Sequence, residues 1–153
     1  MTALAHDGNV VWYFAATVAS TAAPTVANIT AATRIPNITS YDTPSSEAEV
    51  DTSGIDDIYD TSVVGTSKAG PIVLTMKRDD TSETNTWDLL DFRTNGFLIK
   101  SKKGAAILAS KVEVYPVQIG QRRPEGYGKN ATQKFAVSFY VTSAPNLDAV
   151  VAA

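Results

Sequence analysis

Carboxylates are the residues best placed to do chemistry in this sequence: Asp56-Asp57 with Asp60, and Asp79-Asp80. General acid–base catalysis needs two carboxyls whose surroundings drive their pKa values apart. Neighbouring aspartates in a polar stretch are both solvated, so neither cluster meets that need. Asp51, Asp56, Asp57 and Asp60 also offer oxygens to calcium, but their spacing lacks the alternating ligand pattern of a known loop. A solvated acidic loop is the simpler reading, and whether it binds a cation stays open. Zero cysteines remove disulfides, thiol catalysis and Cys-based zinc sites, and His6, the sole histidine, excludes triads and two-histidine metal sites within one chain. GTSKAG (Gly65–Gly70) lacks Gly-Lys-Ser/Thr and precedes a strand, so it is not a phosphate loop. Lys100, Lys102, Lys103, Arg122 and Arg123 could meet phosphates. The chain is nevertheless acidic overall, at −3, and has no basic stripe interleaved with exposed aromatics, so tight nucleic-acid binding is not expected. The expectation is a protein without catalytic residues, metal or cofactor: not an enzyme.

The small net charge is divided unevenly. Residues 1–67 hold eight Asp/Glu against Arg34 alone and sum to −7; residues 68–153 hold eight against twelve Lys/Arg and sum to +4. Separate acidic and basic parts allow copies of one chain to attract each other. No positive n-region precedes an apolar run, so no secretory signal is expected. The longest apolar run, Val10–Ala19, contains Thr17 and falls short of the roughly 20 residues of a membrane helix. The sequons at Asn28, Asn37 and Asn130 are read as chance in a Thr-rich chain.

With 153 residues, 44% hydrophobic, the chain suits one domain, 1–153, able to bury a core without staples. Asn9–Val18 is apolar on both alternating faces and predicts a strand covered on both sides. Pro24 opens a short helix over Thr25–Ala32, and Thr33–Tyr41, broken by Pro36, reads as an irregular or edge strand. An extended acidic region covers about 42–65, with Ser45–Thr52 of strand length and Ile55, Ile58 and Tyr59 as sparse anchors. Gly70–Arg78 alternates clearly. Trp87, Leu90 and the nearby Phe92 then suggest a principal helix, capped at Thr84 or Asn85, with Arg93 in its last turn and Asn95-Gly96 closing it. Strands follow at Gly96–Lys100, at Lys111–Ile119 (Pro116 marking an edge or bulge) and at Thr132–Thr142, with a turn-rich loop over Gly120–Ala131. An Ala-rich tail over about 143–153 docks or frays. The fold class expected is mainly β with minor α: a small antiparallel β-sandwich or partial barrel with one principal flanking helix.

Several segments together resemble the major tail tube protein of long-tailed, non-contractile bacteriophages, of the siphophage type found in actinobacterial phages. They are APTVANITAATRI (Ala23–Ile35), EAEVDTSGIDDIYDTSVVGT (Glu47–Thr66), IVLTMKRDDTSETNTWDLLDF (Ile72–Phe92), GFLIKSKKG (Gly96–Gly104), KVEVYPVQIGQ (Lys111–Gln121) and QKFAVSFYVTSAPNLDAVVAA (Gln133–Ala153). The likeness spans nearly the whole chain in order, although no single motif is diagnostic. It implies a structural virion protein whose six-membered rings share one inner β-barrel and stack into a hollow tail tube. That tube would house the tape-measure protein and conduct DNA during ejection. The implied partners are the chain itself, the tape-measure protein, and the tail terminator and distal tail proteins, with DNA only in transit and no membrane insertion. The implied location is the virion tail, after assembly in host cytoplasm. Four strands from each of six subunits, spaced ~4.8 Å and tilted up to about 45°, give a backbone cylinder roughly 37–52 Å across. Less about 10 Å for side chains, that passes a duplex about 20 Å thick.

From the charge split, Asp56, Asp57 and Asp60 are expected to face Arg122 and Arg123 of the next ring, with Lys102 and Lys103 as second candidates. Glu47, Glu49 and Ser138 are expected to face the lumen. The competing readings are a carbohydrate-binding or adhesin-like β-sandwich, with Trp12, Tyr41, Tyr59 and Tyr127 as a stacking platform, and a related virion protein forming single rings.

Overall fold

The alternation within the first strand, β1 (Val11–Ala15), sets the layering. Trp12 and Phe14 enter one core, while Tyr13 and Ala15 enter another on the opposite face. The computed structural model describes residues 10–56, 58–78, 87–102, 110–125 and 128–153. After β1 come α1 (Val26–Ala31), β2 (Thr33–Ile35), β3 (Ile38–Asp42), β4 (Ser45–Asp51), β5 (Ser62–Ala69) and β6 (Ile72–Lys77). They are followed by β7 (Asn95–Ser101), β8 (Lys111–Pro124), β9 (Lys134–Val141) and β10 (Asn146–Val150). The result is mainly β, with antiparallel pairing throughout the sheets and one short helix, as the periodicity implied.

The main sheet runs β2-β1-β7-β8-β9-β6-β3, with β10 added to β8. Its two end strands, β2 and β3, are consecutive in sequence and separated only by Pro36 and Asn37. That short link forces the ends together, so the sheet curls around the first core. Asn37 takes a left-handed φ of 61°, which Asn tolerates in a turn. Trp12 from β1 meets Tyr41 from β3 edge-to-face at 5.4 Å across that closure. Phe135, Phe139, Leu74, Met76, Leu98 and Val117 fill the interior, each such side chain contributing about 1.5–3 kcal/mol by burial.

The second core explains why β1, β7 and β8 are apolar on both faces. Phe97, Ile99, Val112 and Val114 turn outward and are covered by Ile29 of α1 and by Ala149 and Val151 of the C-terminal segment. The helix starts with a capping box: Asn28 N–H donates to Thr25 Oγ1 at 3.1 Å, and Thr25 N–H donates to Asn28 Oδ1 at 3.0 Å. The Ala-rich tail therefore docks, as β10.

β8 is long because it changes partners. Lys111–Val114 pairs with β10 on one side, and from Val117 onward that side belongs to β9. Pro116 sits at the handover, where its missing N–H interrupts neither ladder while its C=O accepts from Thr142 N–H at 2.9 Å. The strand reaches Pro124, so Gly120–Pro124 is strand and not the loop its composition suggested. A register shift between Ile119 and Arg122 accommodates the glycine.

The helix expected to end at Arg93 does not reach it: its proposed cap, Thr84 or Asn85, lies outside the described residues, Trp87 is helical, and residues 88–94 form turns and bends. Trp87 packs edge-on against Phe135 at 5.0 Å, and Leu90 is fully buried. Two anchors three residues apart need only one turn, and the third member of the supposed stripe, Phe92, is exposed. Asn95-Gly96 opens β7 and does not close a helix: a Cβ on Gly96 would lie 2.5 Å from Phe14 Cζ, so this position requires the absence of a side chain.

Candidate functional site

The sheet β8-β9-β6-β3 has a filled face and an open one. Ile72, Leu74 and Met76 of β6, with Phe135, Val137 and Phe139 of β9, point into the core. By alternation the opposite face presents Val73, Thr75 and Lys77 from β6 and Lys134, Ala136, Ser138 and Tyr140 from β9. The paired registers add Ser40 and Asp42 from β3, with Gly120 and Arg123 from β8. Small and polar residues dominate its centre. Tyr140 lies flat against Gly120, where a Cβ would stand 2.7 Å from its ring. Among the described residues no element packs over this face and both flanks of the four strands are edges: β3 pairs with β6 alone, and β8 has no strand on its other side beyond Ile119, which bonds the backbone of Arg93 and Thr94. The four strands alternate in direction, so β3 and β8 are antiparallel to each other.

From the Asp42–Ile72 end of this sheet the pairing continues outward as the β4–β5 hairpin, joined to it by Gly70 N–H donating to Pro44 C=O at 2.8 Å. At about 3.3 Å per residue, the seven residues of β4 carry the arm roughly 23 Å. Every residue of β4 is exposed. The neck of the tip is built: Thr52 and Thr61 exchange a backbone bond and a hydroxyl bond, each 2.9 Å, and Ser53 N–H donates to Asp51 Oδ1 at 2.8 Å. That backbone bond, and a second from the Ser53 hydroxyl, hold the Asp51 carboxyl below the usual carboxylate range. Beyond the neck Ile55, Ile58 and Tyr59 are 107%, 98% and 83% exposed.

The other end of the sheet is basic. Lys77 pairs with Lys134, and Arg123 lies one strand further on, its Nη2 donating to Ser138 Oγ at 3.4 Å. Beside them Arg78 and Arg122 cover the Trp87 ring at 4.4 and 4.6 Å. Arg122 also donates to the Trp87 C=O and sits 3.4 Å from Asp91 Oδ1.

The sequence candidates thus fall in distinct places. Asp56 and Asp60 are on the arm tip, with Glu47 and Glu49 along its stem; Arg122 and Arg123 are at the opposite end; Ser138 is mid-face. Asp57 and Lys103 lie outside the described residues. Lys102 does not join the arginines: it bonds the Leu147 C=O at 3.2 Å and lies 3.8 Å from Glu113, on the side of the arm's root. A stacking platform is not formed. Trp12 is 1% exposed, Tyr41 packs against it, Tyr59 is on the arm and Tyr127 is outside the described residues. Sequence reasoning missed β5, Lys77, Lys134 and the role of Trp87. The signal for β5 was present in the branched run Ser62–Thr66, hidden by exposure on both faces.

The whole chain, residues 1–153, matches the family described as phage tail tube protein. No curated protein matches it. Among solved structures, it resembles a chain of the anti-feeding prophage baseplate determined by cryo-electron microscopy with six-fold symmetrisation. The TM-score is 0.61 at 10% identity, over 95% of this chain and 96% of that one. At that identity the likeness is one of fold.

Proposed function

The chain belongs to the phage tail tube protein family, structural proteins of the tail and not an enzyme class, and from that premise we propose that it assembles into stacked six-membered rings forming a hollow tube. The observation that carries the reading is the four-stranded sheet that, among the described residues, has one open face and two unpaired edges. Placing β3 of one copy beside the far half of β8 of the next continues the antiparallel alternation and removes both edges. Six copies give a closed cylinder with Thr75, Ala136 and Ser138 directed inward. Such a small-residue lining lets a tape-measure protein and then DNA move without being held. The six-fold symmetry of the baseplate structure fits the same number of copies.

Stacking follows from the axis of the sheet. The acidic arm leaves one end and the basic cluster occupies the other, so rings meeting head to tail bring opposite charges together and repeat without limit, as heterologous contacts do. In the stack Glu47 and Glu49 face the basic rim formed by Arg123, Lys77 and Lys134, which would otherwise retain phosphate. Arg122 is committed to Trp87 and Asp91 within its own chain, so Arg123 carries more of the inter-ring role. Negative-stain microscopy of concentrated protein tests the reading. Long hollow tubes are expected, single rings favour the related virion protein, and featureless monomers contradict assembly.

A further inference from the structure

Phe92 stands beside the far half of β8, because its two neighbours in the chain both bond that strand. Asp91 Oδ1 lies 3.4 Å from Arg122, and Arg93 N–H donates to the Ile119 C=O at 2.8 Å. The Phe92 ring itself is 57% exposed. Arg93, in a left-handed turn at φ 65°, lays its guanidinium 5.0 Å from the ring centre. The Asp91 side chain beside it remains 70% exposed, so its second oxygen is open to a further cation.

The other flank of the sheet, where β2 turns into β3, carries a cleft of about 190 Å³ lined by Val10, Trp12, Arg34, Ile35, Pro36 and Ile38. Apolar space of about 150 Å³ holds a benzene ring, so a phenyl side chain fits there. Trp12 also carries the one buried side-chain polar atom without a hydrogen-bond partner among the described residues, its indole N–H. An aromatic ring can accept from such a donor through its π face. Arg34, exposed, is the sole basic residue of 1–67 and forms no ion pair among the described residues. The cleft thus offers an apolar slot with a cation beside it, and the turn offers a ring with a carboxylate beside it. Within one chain β9 and β6 separate the two flanks.

We infer that Phe92 of one copy seats in the β1–β2–β3 cleft of its lateral neighbour, with Asp91 set against Arg34 there. This rests on the ring proposed above and names the contact at its seam. Seating the ring supplies attraction that salt does not screen, while the charged pair fixes which flank is met.

The absence of native cysteine permits a direct test. Assemblies of the double variant Arg34→Cys/Asp91→Cys are treated with a short bismaleimide and run on a denaturing gel. A ladder of covalent multimers that stops at six is expected, because a lateral contact closes on itself; each single variant should give monomer. Rings or tubes that yield only monomer after full labelling overturn the seating while leaving the ring intact. A ladder running past six assigns the contact to stacking and overturns the seating as well. A wild-type chain that never forms rings or tubes overturns the ring itself. If the double variant does not assemble, Phe92→Ala decides. Folded by circular dichroism, it should need about tenfold or more higher concentration than wild type to form rings. An unchanged threshold rejects the seating.

Discussion

Arg123 Nη2 reaches Ser138 Oγ at 3.4 Å across adjacent strands, so two residues assigned from sequence to different tasks share one open face. In the proposed assembly, ring-to-ring contact and channel lining would be neighbours on this face. Arg123→Glu is expected to shorten or abolish tubes at low salt while changing monomer stability by no more than about 0.5 kcal/mol, as an exposed substitution should. Tube length by microscopy and a urea melt of the monomer check the two halves.

Arg122 behaves differently, because its charge is already used at home. Arg122→Ala removes a cation–π contact, a bond to the Trp87 C=O and a partly exposed pair with Asp91. A loss of about 1–2 kcal/mol is expected in denaturant melts. Unchanged stability would contradict the assigned packing of Trp87.

Lys100 and Glu113 form the most enclosed ion pair among the described residues, 3.3 Å apart with side chains 15% exposed, and Lys100 Nζ lies 4.8 Å above the Tyr41 ring. Losing Glu113 leaves Lys100 with its ring contacts alone, whereas losing Lys100 leaves Glu113 with Lys102 at 3.8 Å and the Tyr115 hydroxyl. Glu113→Gln should therefore cost more than Lys100→Met, about 1–3 kcal/mol against about 1 kcal/mol, and the double variant less than their sum. A double-mutant cycle in urea measures this directly.

Tyr115 donates to Glu113 at 3.1 Å, and burial, reinforced by that carboxylate's charge, pushes its phenol well above the usual tyrosine range. The unfolded chain ionises this phenol at about pH 10, before the folded one does. Its contribution to stability is thus complete below that pH and is lost as pH rises toward the folded value. Alkaline unfolding followed by circular dichroism should show a shallower loss in Tyr115→Phe.

Gly96→Ala tests the close approach of Phe14. The added methyl meets a packed ring and the Ala15 carbonyl oxygen at 2.9 Å, so a loss of about 1–3 kcal/mol is expected by thermal or chemical denaturation.

The parts of this molecule legible in the sequence are those where one physical rule acts alone. Alternation placed the strands at residues 72–77 and 134–141, and Thr25 and Pro24 placed the helix start. Two-sided apolarity in Val10–Ala15 anticipated the two cores. Where a second rule intervened, the reading failed. The spacing of Trp87, Leu90 and Phe92 reads as helix through to Arg93, but beyond Trp87 the chain only turns, and Gly96 looks like a helix end but yields to Phe14. β5 has neither face buried within the chain, so it carries no alternation to detect. The charge split was visible as a sum, but only the strand order places its acidic arm and its basic rim at opposite ends of one sheet.

The central claim is that β3 of one copy lies beside β8 of the next, with the Ser138 face directed into a channel. A cryo-electron microscopy map of the tube, at a resolution that separates strands, tests it most directly. The account expects four strands per subunit in one continuous inner barrel, Ser138 and Thr75 on its inner surface, and the Ser45–Ala69 hairpin crossing to the neighbouring ring. A map with the β8-β9-β6-β3 face turned to the outside, or with β3 unpaired between subunits, would contradict it.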